Sequence, residues 1–123
     1  MVVVTDSSRC EFVVGNYGIE RLIMHQGDDA DLHSMMIKIG PGTHYPYHLH
    51  LTRDEVYCII SGELTLKSRN EFGDESVVLL KSGHVAIVES NTAHCVSNCS
   101  NTQVVFLEVR RGPFDPNDTV REF

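Results

Sequence analysis

The segment from Gly42 to Glu55 contains the residues whose types and spacing best suit chemistry. It reads Gly-Thr-His-Tyr-Pro-Tyr-His-Leu-His-Leu-Thr-Arg-Asp-Glu. His48 and His50 are two residues apart, so on a β-strand both imidazoles point to the same face and can reach one ion. Glu55 opens the next predicted strand after a short polar turn, and its carboxylate can approach the same point from the neighbouring strand. This spacing predicts part of a metal site.

His94 is the candidate for the fourth donor, because it follows a polar turn and opens a short predicted strand. Three neutral imidazoles and one carboxylate suit iron, zinc, manganese, nickel or copper better than magnesium or calcium. Four such donors on one side of an ion leave coordination positions open, and open positions distinguish catalytic metal sites from structural ones. The sequence therefore predicts one divalent transition metal ion on His48, His50, Glu55 and His94.

Two further residues are candidate catalytic groups. His44 has the same parity as His48 and His50, so on a regular strand it faces the interior nearer the mouth of the site. At that place it would serve as a general base or contact the substrate. An equally good interpretation is a histidine at the mouth of the barrel that is hydrogen-bonded to water. Tyr57 has the parity of Glu55, so it would line the same pocket, where its phenol would donate a hydrogen bond or act as an acid. The alternative is that its ring packs in the core while its hydroxyl makes a hydrogen bond at the rim.

The elements that must position these residues are short apolar runs bounded by Gly, Pro, Asn or Asp, with no long helical pattern. Residue pairs typical of hairpin turns occur at Pro41-Gly42, Ser61-Gly62, Gly73-Asp74 and Ser82-Gly83. Such a chain is all-β and forms a sandwich or barrel. The predicted runs are Val2–Thr5, Phe12–Val14, Arg21–Met24, His33–Ile39, Glu55–Ile60, Glu63–Lys67, Ser76–Leu80, Val85–Val88, His94–Val96 and Gln103–Val109.

Composition limits the partners. The 123 residues fit one domain, 1–123, and the net charge of −7 argues against a nucleic-acid partner. The N-terminus shows no signal peptide or membrane span, so we expect a cytoplasmic protein whose four cysteines stay reduced. A small-molecule substrate is expected. The apolar run Val2-Val3-Val4 and the outer faces of strands such as Gln103–Val109 predict a homodimer.

The two histidine-containing segments resemble the cupin motifs. Residues 42–62 reproduce the first motif at every fixed position: a Gly, five residues, His-x-His, four residues, Glu, six residues and Gly. Residues 83–98 resemble the second motif, with Gly83, His94 and Asn98 at the expected spacing. They depart at Glu89, where the family usually has Pro, and at Asn91, where it has Gly. The resemblance covers roughly residues 33 to 110 and implies the cupin double-stranded β-helix, a jelly-roll barrel with the metal inside one end.

What the resemblance implies about function is broader, because cupins include isomerases, dioxygenases, lyases and non-enzymatic binding modules. The stretch from Glu108 to Pro116 also resembles the tail of small cupin metalloproteins encoded in bacterial O-antigen clusters. That favours an isomerase, epimerase or lyase acting on a sugar or sugar-acid-like substrate by Lewis-acid catalysis. The alternatives are a non-haem iron dioxygenase and a non-catalytic, metal-dependent small-ligand binding module. The polar tail, residues 111–123, is expected to lie across the surface or a partner subunit.

Overall fold

The computed structural model describes residues 2, 4, 6–26, 32–113, 115 and 117–121. Two short 3-10 turns, Ser7–Arg9 and Asn16–Gly18, accompany eleven strands in the described residues. The strands are β1 (Val13–Val14), β2 (Glu20–Gln26), β3 (Leu32–Ile39), β4 (His44–His50), β5 (Asp54–Ser61), β6 (Glu63–Arg69), β7 (Glu75–Lys81), β8 (Val85–Val88), β9 (Ala93–Ser97), β10 (Val104–Arg111) and β11 (Thr119–Val120).

The strands form two antiparallel sheets that face each other as a jelly roll, which confirms the predicted all-β cupin fold. One sheet has the order β1-β2-β3-β10-β5-β8 and the other β11-β4-β9-β6-β7. Side chains of alternate residues enter the space between the sheets, as the period of two requires. The core is built from Ile19, Met35, Ile37, Ile39, Tyr57, Ile59, Leu64, Leu66, Leu80, Val88, Val96, Val104 and Phe106.

The predicted strand Val2–Thr5 is not formed in the part of the chain that can be described. Val2 and Val4 have no regular secondary structure and are 87% and 84% exposed. Met1, Val3 and Thr5 lie outside the described residues. Cys10, Cys58, Cys95 and Cys99 are free thiols. Within the described residues, no helix has the length and apolar content needed to cross a bilayer.

Two turn positions explain why the cupin motifs need particular residues. Gly62 has φ 81°, and a Cβ there would lie 2.5 Å from the Gln103 carbonyl oxygen, so only glycine fits. Asn91 has φ 64°, which asparagine tolerates better than other side chains. The backbone N–H of Asn91 donates to the His50 carbonyl oxygen at 2.6 Å. Asn91 therefore adopts the turn that the motif usually assigns to glycine, and it ties the β8–β9 loop to β4.

An irregularity in β4 decides which of its side chains face the interior. Tyr45 pairs with Val96 of β9, but three residues later His48 pairs with His94, so β4 carries one extra residue at this point. Pro46 lies in the interruption, where its missing amide hydrogen costs no ladder hydrogen bond. The bulge reverses the inside–outside alternation, because Tyr45 lines the interior cavity together with His48 and His50.

The prediction that His44 faces the interior is therefore wrong. The extra residue in β4 breaks the parity on which the prediction relied, and His44 is exposed. It borders a depression on the outer face of the five-stranded sheet, beside Tyr47, Lys67 and Cys95.

The C-terminal segment returns to its own barrel. Beyond β10 the chain turns at Gly112, where φ is 127°. It then pairs β11 with β4, bringing Thr119 opposite His50 and Val120 opposite Leu49. The Leu51 amide donates to the Asp118 carbonyl at 3.0 Å. The tail therefore supports the strand that carries the two motif histidines.

Candidate metal centre

The four predicted donors come from three strands and meet between the two sheets. His48 and His50 lie on β4, His94 on the adjacent β9, and Glu55 on β5 of the opposite sheet. Each is buried, with 6%, 5%, 1% and 1% of its surface exposed for His48, His50, His94 and Glu55. Polar side chains so deeply buried need partners or an ion. The structure brings together all four residues that the sequence predicted for this site.

The distances between donor atoms suit a single ion. Donor atoms of His48, His50 and Glu55 all lie within 4.8 Å of one another. The Nε2 atom of His50 lies 2.5 Å from Glu55 Oε1, and that of His94 lies 3.6 Å from the same oxygen. The rings of His48 and His94 have centroids 4.3 Å apart. His48, His50 and Glu55 could therefore bind a metal ion together, with His94 beside them.

The second nitrogen of each histidine fixes which nitrogen is available to an ion. Each Nδ1 faces an oxygen that can only accept a hydrogen bond, so Nδ1 carries the proton and Nε2 keeps its lone pair. The three contacts are His48 to the Pro46 carbonyl at 3.0 Å, His50 to Asp118 Oδ2 at 3.0 Å, and His94 to the Thr92 carbonyl at 2.8 Å. Three lone pairs are thus directed at the site.

Two buried atoms without hydrogen-bond partners indicate whether a metal ion would fit the site. His50 Nε2 and Glu55 Oε1 are both buried, and neither makes a hydrogen bond within the described residues, although they are 2.5 Å apart. An imidazole lone pair and a carboxylate oxygen facing each other at this distance repel unless a cation lies with them. The donor set therefore fits a divalent transition metal ion.

The electrostatics keep the donors in the forms that a metal needs. Burial, followed by the neighbouring His94, lowers the pKa of His48 to about 4, so its imidazole is neutral near pH ~7. Burial alone would raise the pKa of Glu55. Its contacts with His50 and His94, in which an Nε2 proton or a bound cation faces the carboxylate, and the positive charge of Arg110 outweigh burial, and they hold that pKa well below its usual value. Glu55 is therefore a carboxylate and His48 a neutral imidazole, the forms in which these groups could bind a metal ion.

Tyr57 lies beside the predicted donors, with its ring in the apolar core and its hydroxyl in the site. It is 2% exposed, and its ring lies edge-on against Phe106 with centroids 5.4 Å apart. Its hydroxyl donates to Glu55 Oε2 at 2.7 Å and lies 3.2 Å from His94 Nε2. Burial, followed by the charges of Glu55 and Glu108, raises the pKa of Tyr57 well above its usual value. Tyr57 is a protonated donor that holds one oxygen of Glu55.

A cavity of about 280 Å³ opens from His48 and His50 toward solvent. One wall is apolar and is formed by Ile19, Met35, Ile37, Ile39, Val96 and Phe106. The remaining lining is polar or charged, and its charged members besides the histidines are Arg21, Glu108, Arg110 and Arg121. The cavity therefore combines an apolar wall with a cluster of three guanidinium groups.

Glu108 and Arg110 form an ion pair within this cavity, with Arg110 Nε 3.0 Å from Glu108 Oε2. Burial, together with the negative charge of Glu55, raises the pKa of Glu108 to about 8, although Arg110 opposes the shift. In its ionised form, Glu108 is the main cause that raises the pKa of Arg110, which stays charged. The cavity holds a carboxyl group that is not one of the four donors.

The sequence interpretation missed Asp118, Glu108 and the cavity arginines. Glu108 carried a readable signal, since it shares the parity of the apolar Val104 and Phe106 on β10 and so had to face inward. Asp118 carried none, because it meets His50 across 68 positions of sequence and lies in a polar tail.

Replacing Asp118 with asparagine is expected to weaken metal binding by about 10-fold to 100-fold. Asp118 Oδ2 accepts from His50 Nδ1, and its Oδ1 accepts from the Thr52 amide at 2.6 Å. An amide has one oxygen and one NH2 group, so it satisfies only one of these two donors. The measurement is the metal dissociation constant by chelator competition. Asp115→Asn, in the same tail but exposed, is the control, and equal constants for both variants would contradict the assignment.

Comparison with known proteins identifies the family. The sequence model for the cupin domain matches residues 35–110. No functionally curated protein matches the sequence. Among solved structures, KdgF from Halomonas sp. is similar with a TM-score of 0.77 and 16% identity, over 94% of this chain and 97% of that one.

Two other similar structures differ widely in role. Oxalate decarboxylase from Bacillus subtilis, an enzyme with Mn(II) centres, has a TM-score of 0.74 and 20% identity. The match covers 88% of this chain but only 29% of the decarboxylase. Drosophila melanogaster CENP-C, solved bound to CAL1, has a TM-score of 0.76 and 16% identity over 87% of this chain and 80% of that one. These identities show a shared fold, and because the domain match spans more than half of the sequence, the chain belongs to the cupin family.

Proposed function

We propose that this cupin is a metal-dependent enzyme that acts on a small sugar-acid-like substrate by isomerase, epimerase or lyase chemistry. His48, His50, Glu55 and His94 would hold one divalent transition metal ion. When bound, such an ion supplies a Lewis acid that polarises a substrate carbonyl or hydroxyl group. The chain's own residues would bind the substrate, orient it and move its proton.

The observation that carries the proposal is the cluster of guanidinium groups in the cavity. Arg21, Arg110 and Arg121 line it, although the chain as a whole has a net charge of −7. Guanidinium groups bind carboxylates through paired, charge-assisted hydrogen bonds. Such a cluster inside an acidic protein favours a substrate that carries a carboxylate.

The arginines divide into two roles. Arg110 is paired with Glu108, whereas the guanidinium carbons of Arg21 and Arg121 lie 5.9 and 5.0 Å from the centre of the Tyr45 ring. Stacking on one ring orients both groups toward the cavity. We assign Arg21 and Arg121 to the substrate carboxylate.

Glu108 is the group that we assign to proton transfer. It lines the cavity on β10, and it is a carboxyl group outside the proposed donor set. His44, the histidine first considered for this role, lies on the outer face of the barrel. Tyr57 contributes by holding Glu55. The cavity of about 280 Å³ is near the lower end of the usual range for ligand pockets, about 300–1,000 Å³, which favours a substrate the size of one sugar ring.

The test begins with elemental analysis of protein purified without added metal, followed by a screen of sugar acids and their neutral amides in air and under argon. We expect turnover of the acids to persist under argon and with manganese, zinc or nickel in the site. Arg121→Gln should raise KM for the acid about 10-fold or more while metal content stays unchanged. Equal turnover of acids and amides would contradict the carboxylate role of Arg121.

A second candidate, a non-haem iron dioxygenase, is favoured by the apolar wall of the cavity, since such a wall suits an apolar substrate beside an open metal site. Activity that requires both iron and oxygen would support it over the first proposal. Saturable ligand binding without turnover in either atmosphere would instead favour the non-catalytic binding module.

A further inference from the structure

A second group of polar side chains lies on the outer face of the five-stranded sheet. A depression of about 420 Å³ on this face is bordered by residues of β4, β9 and β6, three adjacent strands of the sheet. They include His44, Tyr47, Lys67, Cys95 and Ser97. No residue lines both this depression and the barrel cavity, so the two are separate.

Cross-strand pairing brings the polar side chains of this depression together. His44 of β4 lies opposite Ser97 of β9, and Lys67 of β6 lies opposite Cys95, two residues before Ser97 on the same strand. Directly opposite side chains of antiparallel strands have Cβ atoms about 5 Å apart, and a diagonal neighbour is within reach of a long side chain. The imidazole of His44, the hydroxyl of Ser97 and the ammonium of Lys67 can therefore meet around one small group.

The polar groups of these three residues are not used within the fold. In the part of the chain that the structure describes, the side chains of His44, Lys67 and Ser97 make no hydrogen bond and no ion pair. Lys67 and Ser97 are half-buried, and His44 is exposed. Each of the three side chains can donate a hydrogen bond. The depression therefore presents three donors that a ligand can occupy.

The carboxylate that borders the depression has its charge offset by neighbours. Arg69 Nε lies 3.7 Å from Glu75 Oε2, and the Tyr47 hydroxyl donates to the same oxygen. The Arg69 guanidinium also lies 4.0 Å from the centre of the Tyr47 ring, so the three side chains form one wall. Because Lys67 and Arg69 face a single carboxylate, the lining is positively charged in a protein whose net charge is −7.

This set of donors suits a phosphate group better than a carboxylate. A phosphate monoester has three strong acceptor oxygens and a charge of about −1.5 to −2 near neutral pH. It can accept from several donors at once, and lysine binds it as a point charge. A carboxylate is best matched by the planar fork of an arginine, and Arg69 already faces Glu75.

We propose that the depression binds a phosphate group through Lys67, His44 and Ser97. This inference does not depend on the reaction that the metal site performs, because the two sites share no residue. The half-burial of Lys67 and Ser97 strengthens the contact, since water screens a charge less there than at a fully exposed position.

The test titrates the purified protein with inorganic phosphate and with glucose 6-phosphate, and follows backbone amide signals by nuclear magnetic resonance. We expect saturable shifts at His44, Ser97 and Lys67, with a dissociation constant of about 1 mM or lower. Tighter binding of glucose 6-phosphate identifies a phosphate monoester as the ligand, whereas tighter binding of inorganic phosphate identifies the free ion.

Two substitutions of the same kind test the role of Lys67. Lys67→Gln should raise the dissociation constant at least about 10-fold, because it removes a charge-assisted hydrogen bond. Lys81→Gln is the matched control, since Lys81 is exposed on the neighbouring strand β7 and lies outside the depression. Equal weakening by both substitutions would overturn the proposal, because the effect would then come from net charge alone.

Arg121→Gln separates this site from the barrel cavity, which also contains guanidinium groups. Binding that is kept in Arg121→Gln and weakened in Lys67→Gln supports the proposal. The reverse result would overturn it by placing the phosphate in the barrel cavity, and so would the absence of saturable shifts up to about 10 mM of either probe. His44→Gln, a second substitution within the depression, should raise the dissociation constant in the same direction, and circular dichroism shows that each variant is folded.

Discussion

His50→Ala is expected to lower bound metal from about one ion per chain to less than about one tenth of that. His50 contributes a lone pair whose direction is set by Asp118, and its Nε2 lies 2.5 Å from Glu55 Oε1. Alanine removes one donor and leaves the buried carboxylates of Glu55 and Asp118 without that partner. His48→Ala should act in the same direction. Elemental analysis of protein purified under identical conditions measures the change.

His44→Ala is the matched control for this experiment. It removes a histidine from the same strand, β4, but from the outer face of the barrel, so metal content should stay near that of the wild type. Circular dichroism should show a folded β-protein for all variants, since the apolar core has its own contacts. Retention of a full metal complement in His50→Ala would show that the donor set is wrong. Loss of the fold would show that the metal is structural.

The positions of the proposed metal donors could be predicted from sequence because strand geometry is local. His48 and His50 share a face through the period of two, and Glu55 opens the strand that follows. The first cupin motif also includes Gly62, whose positive φ no other residue adopts without strain. Local rules therefore placed β4, β5 and the proposed donors that these two strands carry.

The parity argument failed at His44 because it assumed an uninterrupted strand. Pro46 was visible in the sequence, and a proline inside a strand often marks an edge or a bulge. The bulge between Tyr45 and His48 turned Tyr45 inward and His44 outward. A rule based on alternation holds only as far as the next irregularity of the strand.

Residues from the C-terminal tail could not be predicted, for a different reason. Asp118 and Arg121 reach the site because β11 pairs with β4, a contact between segments separated by about 70 residues. Nothing in the local pattern of a polar tail with two prolines indicates that pairing. Glu108, in contrast, lay at an inward position of a predicted strand, and a charged residue at a core position indicates function.

The proton-transfer role assigned to Glu108 predicts the second large effect. Glu108→Gln should lower kcat by about 100-fold to 10,000-fold on the substrate found in the screen, with metal content unchanged. Glutamine has nearly the same shape, and its oxygen still accepts from Arg110 Nε, which lies 3.0 Å from Glu108 in the wild type. The ability to take up and return a proton is lost, because an amide does not do so at ordinary pH.

Three comparisons separate this role from a structural one. Glu63→Gln, on β6 away from the cavity, makes the same chemical change and should leave kcat unchanged. Glu108→Asp keeps a carboxyl group on a shorter side chain and should recover part of the lost kcat, whereas a loss of charge balance around Arg110 alone would appear mainly in KM. If Glu108→Gln lost metal as His50→Ala does, Glu108 would support the ion. If Glu108→Gln kept full kcat, another group would carry the proton. Tyr57→Phe would then be the next substitution to measure, because Tyr57 hydrogen-bonds to Glu55.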